Sequence, residues 1–193
     1  LALVSNGDET TYAELGARVA QVARFIKHLV AGHETRVGLV ANKSMAMVVG
    51  MLGILQSGAA YVPFDPALPT LRALEMARGA CVLLTVTHVS AIYRWSCEEC
   101  AVPRVRHAKA HASAVGCRAT LYALFTSGST GKPKGVTVAN GGVLSFIRAL
   151  FSRIPHACPK QRTLFFCSFA FDFHTQAVFA TFATGGRLYA FLR

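Results

Sequence analysis

Residues 121–135 read Leu-Tyr-Ala-Leu-Phe-Thr-Ser-Gly-Ser-Thr-Gly-Lys-Pro-Lys-Gly, and this stretch decides most of what the sequence predicts. The apolar run from Leu121 to Phe125 is typical of a short buried strand. The next ten residues supply three glycines, four hydroxyl groups and two lysines. Glycine lets a backbone approach a ligand closely, and hydroxyl and lysine side chains bind phosphate oxygens. The composition therefore predicts a phosphate-binding loop that follows a strand.

Two other interpretations fit this loop less well. A flexible polar turn is the plainer one, but the density of phosphate-binding groups and the stiff Pro133-Lys-Gly exit argue against it. A Walker A loop has the pattern Gly-x-x-x-x-Gly-Lys-Ser/Thr. Here the position five before Gly131 is Thr126, and Pro133 stands where the Mg²⁺-binding hydroxyl belongs. The loop is therefore not a Walker A loop.

Four segments in order resemble the motifs of adenylate-forming enzymes. They are Thr11-Tyr-Ala-Glu-Leu15, Leu55-Gln-Ser-Gly-Ala-Ala-Tyr-Val-Pro-Phe-Asp-Pro66, the stretch 121–135, and Phe171-Asp-Phe-His174. The Ala-Tyr-Val-Pro-x-Asp-Pro form of the second segment is similar to the amino-acid adenylation domains of nonribosomal peptide synthetases, rather than to acyl-CoA ligases or luciferases. The resemblance covers about residues 1–87 and 119–193.

The resemblance implies that the loop holds the β- and γ-phosphates of ATP while an amino-acid carboxylate attacks the α-phosphorus. Donors already placed around the leaving pyrophosphate would lower that barrier. Lys134 and Thr130 are the candidate catalytic residues, whereas Lys132 could equally be a solvated loop lysine. The candidate phosphate-binding residues are Thr126, Ser127, Gly128, Ser129, Thr130, Gly131, Lys132, Lys134 and Gly135.

The fourth segment supplies the candidate substrate-binding residues. By resemblance, Asp172 would pair with the α-ammonium group of the amino acid, and Phe173 and Gln176 would line its side-chain pocket from one helical face. Asp172 stands among aromatic residues, where a carboxylate needs a partner. It could also cap the following helix. His174 replaces the family's serine, so its ring could crowd the pocket or face solvent.

Alternating strand and helix patterns predict an α/β fold with a mostly parallel sheet flanked by helices. The resemblance identifies this fold as a partial N-terminal subdomain of the adenylate-forming enzymes. A capping box at Thr11-x-x-Glu14 opens the first helix, whose apolar stripe should be Leu15, Val19, Val22, Ile26 and Leu29. Further helices are expected at 44–56, 71–77, 142–151 and 175–183, and strands at 36–41, 59–64, 81–86, 121–125, 135–138, 163–167 and 187–191.

The chain 1–193 is interpreted as one truncated adenylation domain with an atypical segment at 88–118. That segment could hold a zinc site, because Cys and His are the side chains that zinc prefers. The spacing does not match a zinc finger, however, so we assign no metal site. The residues concerned are Cys97, Cys100, His107, His111 and Cys117.

The composition restricts the classes of partner. Twenty Lys and Arg against nine Asp and Glu give a net charge of +11, but the basic residues are scattered, so we expect no nucleic-acid partner. The most apolar run, 45–55, is too short to cross a membrane. No signal-like segment opens the chain, and we expect six reduced cysteines in the cytoplasm.

The resemblance implies further partners and leaves alternatives open. It implies ATP, Mg²⁺ with its main ligand outside this chain, an amino acid, and a pantetheine thiol, with carrier and condensation domains as neighbours. An acyl-CoA or aryl-acid ligase and a non-catalytic remnant remain alternatives. We expect the 193 residues alone to be inactive, and apolar strands near residue 193 to be exposed. We also expect the helix after Asn140-Gly141 to start loosely, since the family has larger residues at these two positions.

Overall fold

The computed structural model describes residues 1–30, 35–87, 91–94, 116–127, 133–153 and 160–191. These residues form ten strands and five helices, and the α/β class expected from the sequence is confirmed. The helices are α1 (Tyr12–Leu29), α2 (Met45–Ser57), α3 (Thr70–Gly79), α4 (Asn140–Arg153) and α5 (Thr181–Ala183), which continues a π-helical turn at Gln176–Ala180. The strands are β1 (Leu3–Ser5), β2 (Asp8–Thr10), β3 (Arg36–Val40), β4 (Ala60–Phe64), β5 (Val82–Thr87), β6 (Ala91–Arg94), β7 (Thr120–Ser127), β8 (Pro133–Ala139), β9 (Arg162–Phe165) and β10 (Arg187–Ala190).

The larger sheet has six strands in the order β6-β5-β3-β4-β7-β8. The four inner strands run parallel, and the outer strands β6 and β8 run antiparallel to their neighbours. Strand β4 meets β7 with Tyr61 opposite Tyr122. All five residues of β4 are buried. A central parallel strand covered on both faces needs no polar residue, which explains its continuous apolar sequence.

The smaller sheet has four strands in the order β2-β1-β10-β9. Strand β10 lies between β1 and β9, in parallel with both, so the expected exposure of an apolar strand near residue 193 is wrong. Sequence reasoning missed the β1–β2 hairpin. Its signal was Asn6-Gly7, whose backbones adopt φ of 51° and 92°. Asn-Gly is the strongest short hairpin signal, because both positions of a type I′ turn require positive φ.

Helix α1 begins with the expected capping box: the Glu14 amide donates to the Thr11 hydroxyl at 3.2 Å, and the Thr11 amide donates to the Glu14 carboxylate at 2.8 Å. Its buried residues are Leu15, Val19, Ala23 and Ile26. Leu29 is 40% exposed, so the predicted stripe is wrong at its last position. The helix ends at this residue, whereas Ile26, one turn earlier, is buried.

The core has two parts, one on each face of the larger sheet. The first joins α1 and α2 to strands of both sheets, with Leu3, Ile26, Leu39 and Leu188 almost completely buried. The second packs α3 against the opposite face and is formed by Val62, Phe64, Met76, Ala77, Ala80, Val82 and Ala123. Tyr61 belongs to the first part and Val62 to the second, as the alternation of side chains along a strand requires.

Candidate active site

The predicted phosphate loop closes a β-hairpin. Strands β7 and β8 pair antiparallel, with Thr126 opposite Lys134 and Ser127 opposite Pro133. The strands expected on either side of the loop are therefore present. The five residues that connect them, Gly128, Ser129, Thr130, Gly131 and Lys132, lie outside the described residues, so their proposed roles stay predictions.

The described end of the hairpin carries Thr126, Lys134 and Gly135. Thr126 and Lys134 are exposed, and the Thr126 hydroxyl lies 3.5 Å from the Lys134 carbonyl oxygen. Such a long contact leaves the hydroxyl available to a ligand. A Cβ at Gly135 would lie 3.3 Å from the Phe125 ring. A larger residue at position 135 would therefore crowd this ring. Packing against Phe125 is thus one reason for a glycine at this position of the motif.

The second predicted group of residues begins in a run of turns. The Phe171 amide donates to the Ser168 carbonyl at 3.1 Å, the His174 amide to the Phe171 carbonyl at 3.1 Å, and the Thr175 amide to the Asp172 carbonyl at 3.0 Å. The Thr175 hydroxyl donates to the same Asp172 carbonyl. These bonds fix the backbone on both sides of Asp172. We call residues 168–175 the Asp172 turn.

The side chain of Asp172 is exposed, so the expectation that its carboxylate is enclosed by aromatic residues is wrong. Within the described part of the chain, the carboxylate makes no hydrogen bond to a helix amide, and it is the Asp172 carbonyl that makes the contacts to Thr175. The helix-cap interpretation is therefore wrong as well. Asp172 therefore presents an exposed carboxylate to whatever approaches this surface.

His174 is the main residue whose position sequence reasoning misjudged. Its side chain is 0% exposed and neither faces solvent nor projects into a pocket. The ring contacts Tyr61, Tyr122 and Phe169, with centroid separations of 5.7, 5.5 and 5.1 Å and edge-to-face orientations. Its Nε2 lies 2.5 Å from the Tyr61 hydroxyl, and its Nδ1 lies 2.5 Å from the Phe171 carbonyl oxygen. We call the four residues His174, Tyr61, Tyr122 and Phe169 the His174 cluster.

The His174 cluster joins three of the four sequence motifs. Tyr61 belongs to the second motif, Tyr122 to the third and His174 to the fourth. Tyr61 and Tyr122 are also neighbours across β4 and β7, with ring centroids 5.6 Å apart. The strand that leads to the phosphate loop therefore packs directly against the Asp172 turn.

Burial dominates the proton affinities of this cluster. It raises the pKa of the Tyr61 phenol well above its usual value. Burial is also the largest effect on Tyr122 and raises the pKa of its phenol. The nearby Asp172 carboxylate raises this pKa as well, whereas a hydrogen bond with the Thr175 side chain lowers it. Burial lowers the pKa of His174 to about 4, although the Phe171 carbonyl and the Asp172 charge act in the opposite direction. The imidazole is therefore neutral at pH 7.

Phe173 and Gln176 lie together, as their spacing predicts, on a cleft of about 470 Å³. The cleft lies between the end of α4, strand β9 and the π-helical turn, and is largely apolar. The Phe173 ring packs near that of Phe166 at 6.0 Å. Phe166 itself is 66% exposed. Asp172 does not line this cleft.

A smaller cleft of about 200 Å³ lies beyond the carboxyl ends of β3 and β4. Its lining includes Lys43, Asp65 and Ser168. The Lys43 ammonium donates to the Phe166 carbonyl at 2.9 Å, which ties the larger sheet to the segment before the Asp172 turn. Sequence reasoning did not single out Lys43, although ligands of open α/β sheets commonly bind at this edge.

Comparison with known proteins identifies the family. The chain matches the family described as "AMP-binding enzyme" over residues 1–192. It belongs to this AMP-binding family. It is 30% identical to Gramicidin S synthase 2 of Brevibacillus brevis over 98% of the chain, and 31% identical to Tyrocidine synthase 2 of Brevibacillus parabrevis, also over 98%. The chain spans 4% and 5% of the lengths of these two relatives.

Solved structures agree with this family fold. A nonribosomal peptide synthetase, FmoA3, in an AMPPNP-bound form, matches with a TM-score of 0.77 at 24% identity, over 97% of this chain and 20% of its own. The N-terminal subdomain of Klebsiella oxytoca NpsA, in complex with 3-hydroxyanthranilyl-AMSN, matches with a TM-score of 0.75 at 20% identity, over 100% of this chain and 49% of its own. The fold expected from the motif resemblance is therefore confirmed for this AMP-binding chain.

Two other expectations about this AMP-binding chain concern metals and membranes. Cys97, Cys100, His107 and His111 lie outside the described residues, and Cys117 is an exposed free thiol. Among the residues that the structure describes, no three Cys, His, Asp or Glu side chains are grouped to hold a metal ion. Nor does any helix in the described ranges have the length and apolar character needed to cross a bilayer.

Proposed function

We propose that residues 1–193 are the N-terminal part of an amino-acid adenylation domain, which forms aminoacyl-AMP from an amino acid and ATP and releases pyrophosphate. The observation that carries this proposal is the contact between the Asp172 turn and the strand that leads to the phosphate loop. Through Tyr122, the Asp172 carboxylate is near enough to that strand to raise the pKa of its tyrosine. In this proposal, the group that binds ammonium lies beside the strand that leads to the loop that binds phosphate.

The hairpin suits a polyanion. Neither β7 nor β8 contains an acidic residue, while Thr126 and Lys134 are exposed beside the loop. In the proposal, the loop holds the ATP phosphates. Mg²⁺ offsets the charge that develops on those phosphates, and its main ligand is outside this chain. The proposed phosphate-binding residues are Thr126, Ser127, Gly128, Ser129, Thr130, Gly131, Lys132, Lys134 and Gly135, with Thr130 and Lys134 as the proposed catalytic residues.

Asp172 binds the α-ammonium group in this proposal and so favours amino acids over plain carboxylic acids. Its exposure supports the assignment, since no described partner neutralises the carboxylate. Phe173 and Gln176, which line one cleft, contact the substrate side chain, and these two residue types suggest a medium-sized or polar side chain. The product then passes to a pantetheine thiol on a carrier domain, in a cytoplasmic synthetase that also has condensation domains. The relatives named above are synthases of which the chain spans 4% and 5%, and this supports a place within a larger synthetase.

Amino-acid-dependent exchange between pyrophosphate and ATP tests the proposal. It is measured in the complete polypeptide that contains residues 1–193, with amino acids and their des-amino carboxylic acids as substrates. Asp172→Asn should lower exchange with the preferred amino acid by about a hundredfold, because an ammonium would lose its charged partner. Exchange with the des-amino acid should change little. Asp8→Asn, on β2 of the other sheet, is the matched control and should behave as wild type.

The remaining outcomes decide between the alternatives. Wild-type exchange that prefers the des-amino acid identifies an acyl-CoA or aryl-acid ligase instead. No exchange with any acid identifies a non-catalytic remnant. The 193 residues alone should give no exchange, because the adenine-binding and Mg²⁺-binding parts of the reaction lie outside them in this proposal.

A further inference from the structure

The His174 ring is engaged through both nitrogens, although nothing in the proposed chemistry requires an imidazole. Nδ1 lies 2.5 Å from the Phe171 carbonyl oxygen, and Nε2 lies 2.5 Å from the Tyr61 hydroxyl. A carbonyl oxygen can only accept a hydrogen bond, so Nδ1 must carry a hydrogen. In a neutral imidazole the other nitrogen is then an acceptor, and the Tyr61 hydroxyl donates to Nε2. The contacts therefore select one tautomer.

The surroundings keep this ring neutral. The ring is 0% exposed, and three aromatic rings surround it. The titratable groups that face it are Tyr61 from β4, Tyr122 from β7 and Asp172 from its own turn. Both phenols have pKa values raised above the usual one, so neither is ionised at pH 7. The result is one continuous chain of hydrogen bonds from Tyr61 through the imidazole to the backbone of Phe171.

The carbonyl at the end of this chain belongs to the residue before Asp172. The same oxygen also accepts from the His174 amide at 3.1 Å. The Asp172 carboxylate is exposed and makes no hydrogen bond within the described residues, so only its backbone determines where it lies. Tyr61 is 113 residues away in a buried central strand. The imidazole thus connects the backbone beside Asp172 to the fully buried strand β4 of the larger sheet.

We propose that His174 is a positioning residue that holds the Asp172 carboxylate in place for the ammonium group of the substrate. The inference rests on the proposed function of Asp172 and adds a residue that acts through it. A serine at this position has one heavy atom beyond Cβ and cannot join Phe171 to Tyr61. The imidazole joins them with two directed hydrogen bonds, so the Asp172 turn is fixed before the substrate arrives. Binding then costs less conformational entropy.

Nitrogen NMR of the ¹⁵N-histidine-labelled 193-residue chain tests the hydrogen-bond chain without any activity. The expected spectrum at pH 7 has one histidine with a protonated Nδ1 and an unprotonated, hydrogen-bonded Nε2. Tyr61→Phe should shift the Nε2 signal of that histidine and leave its Nδ1 hydrogen in place. His28→Asn, which removes an exposed imidazole from α1, should leave both signals unchanged. A proton on Nε2 instead of Nδ1 overturns the proposal.

Steady-state exchange kinetics in the complete polypeptide test the positioning role. His174→Leu should raise KM for the amino acid about tenfold, the effect of a lost hydrogen bond that places a charged group, and leave KM for ATP unchanged. His174→Asn keeps an amide hydrogen within reach of the Phe171 carbonyl and should recover most of the loss. If His174 were merely structural, the substitution would reduce the fraction of folded protein and so lower the apparent kcat, but both KM values would stay unchanged. Thermal unfolding measures the folded fraction.

The possible results separate the two proposals. Amino-acid-dependent exchange in the wild type together with an unchanged amino-acid KM in His174→Leu overturns the positioning role alone. Equal effects of His174→Leu and His174→Asn also overturn it, since the Phe171 contact would then be irrelevant. Absence of amino-acid-dependent exchange in the wild type overturns the proposed function of Asp172, and the positioning role falls with it.

Discussion

The two candidate binding segments are held in opposite ways. At its tip, the phosphate hairpin depends on its backbone ladder, because β8 is largely exposed and the described side-chain contact there is 3.5 Å long. The Asp172 turn depends on a side chain that is 0% exposed and touches three aromatic rings. The hairpin can therefore adjust to a polyphosphate, whereas the carboxylate that would select the substrate is placed in advance.

The largest expected effect is on stability and concerns the His174 cluster, which anchors the Asp172 turn. Tyr61→Ala removes a fully buried aromatic ring from the His174 cluster and should lower the free energy of unfolding by about 4 kcal/mol. The matched control, Phe166→Ala, removes a ring that is 66% exposed and should cost less than about 0.5 kcal/mol. Urea denaturation followed by circular dichroism measures both. Equal losses would mean that the cluster does not anchor the turn.

The second difference is in pH dependence. Burial lowers the pKa of His174 to about 4, from a value near 6.5 in the unfolded chain. Below pH 6.5 the unfolded state therefore binds a proton that the folded state does not. The stability from the neutral ring is complete above pH 6.5 and falls as pH decreases to 4, by roughly 3 kcal/mol. Denaturation midpoints across this range measure the loss.

His174→Asn should remove that part of the pH dependence, while His28→Asn should keep it, because His28 is exposed on α1. The hairpin contributes no group that titrates between pH 4 and pH 6.5, since β7 and β8 contain neither acids nor histidines. A wild-type slope that survives in His174→Asn would place its origin elsewhere in the chain.

The third prediction concerns how the hairpin is joined to α4. The Gly141 amide donates to the Cys117 carbonyl at 2.8 Å, and a Cβ at Gly141 would lie 2.8 Å from that same oxygen. The loose helix start expected from Asn140-Gly141 is therefore wrong, because the close contact fastens it. Gly141→Ala should destabilise the chain by about 1–3 kcal/mol. Its neighbour Gly142 has open space around it, and Gly142→Ala should stabilise by about 0.5 kcal/mol. Changes of the same sign would contradict this account.

The sequence predicts the regular parts of this fold well, because those parts depend on local patterns. The capping box at Thr11 and Glu14 and the continuous apolar sequence of β4 lead directly to α1 and to a central buried strand. The strands on both sides of the phosphate loop follow for the same reason. The β1–β2 hairpin was missed because three-residue strands show too little alternation, although Asn6-Gly7 carried the signal.

The candidate site is less predictable, because its decisive contact is not local. Nothing in Phe171-Asp-Phe-His174 indicates that the histidine is buried or that its partner is Tyr61, 113 residues earlier. The pattern equally allowed a solvent-facing ring. Asp172 shows the converse: the aromatic neighbours in its sequence suggested enclosure, but Phe171 and Phe173 are themselves 62% and 40% exposed. Sequence neighbours of a turn residue do not determine which side chains surround it.

The smallest expected change in stability comes from the hairpin tip and separates a ligand role from a structural one. Thr126→Val removes an exposed hydroxyl whose contact with the Lys134 carbonyl is 3.5 Å long, so the free energy of unfolding should change by less than about 0.5 kcal/mol. Pyrophosphate exchange in the complete polypeptide should nevertheless fall about tenfold, because a neutral hydrogen bond to the phosphates is lost. Thr137→Val, at an exposed position of β8 paired with Ala123, should alter neither quantity. Unchanged exchange in Thr126→Val would mean that this hydroxyl does not bind the phosphates. A stability loss equal to that of Tyr61→Ala would instead show that side-chain contacts hold the hairpin tip.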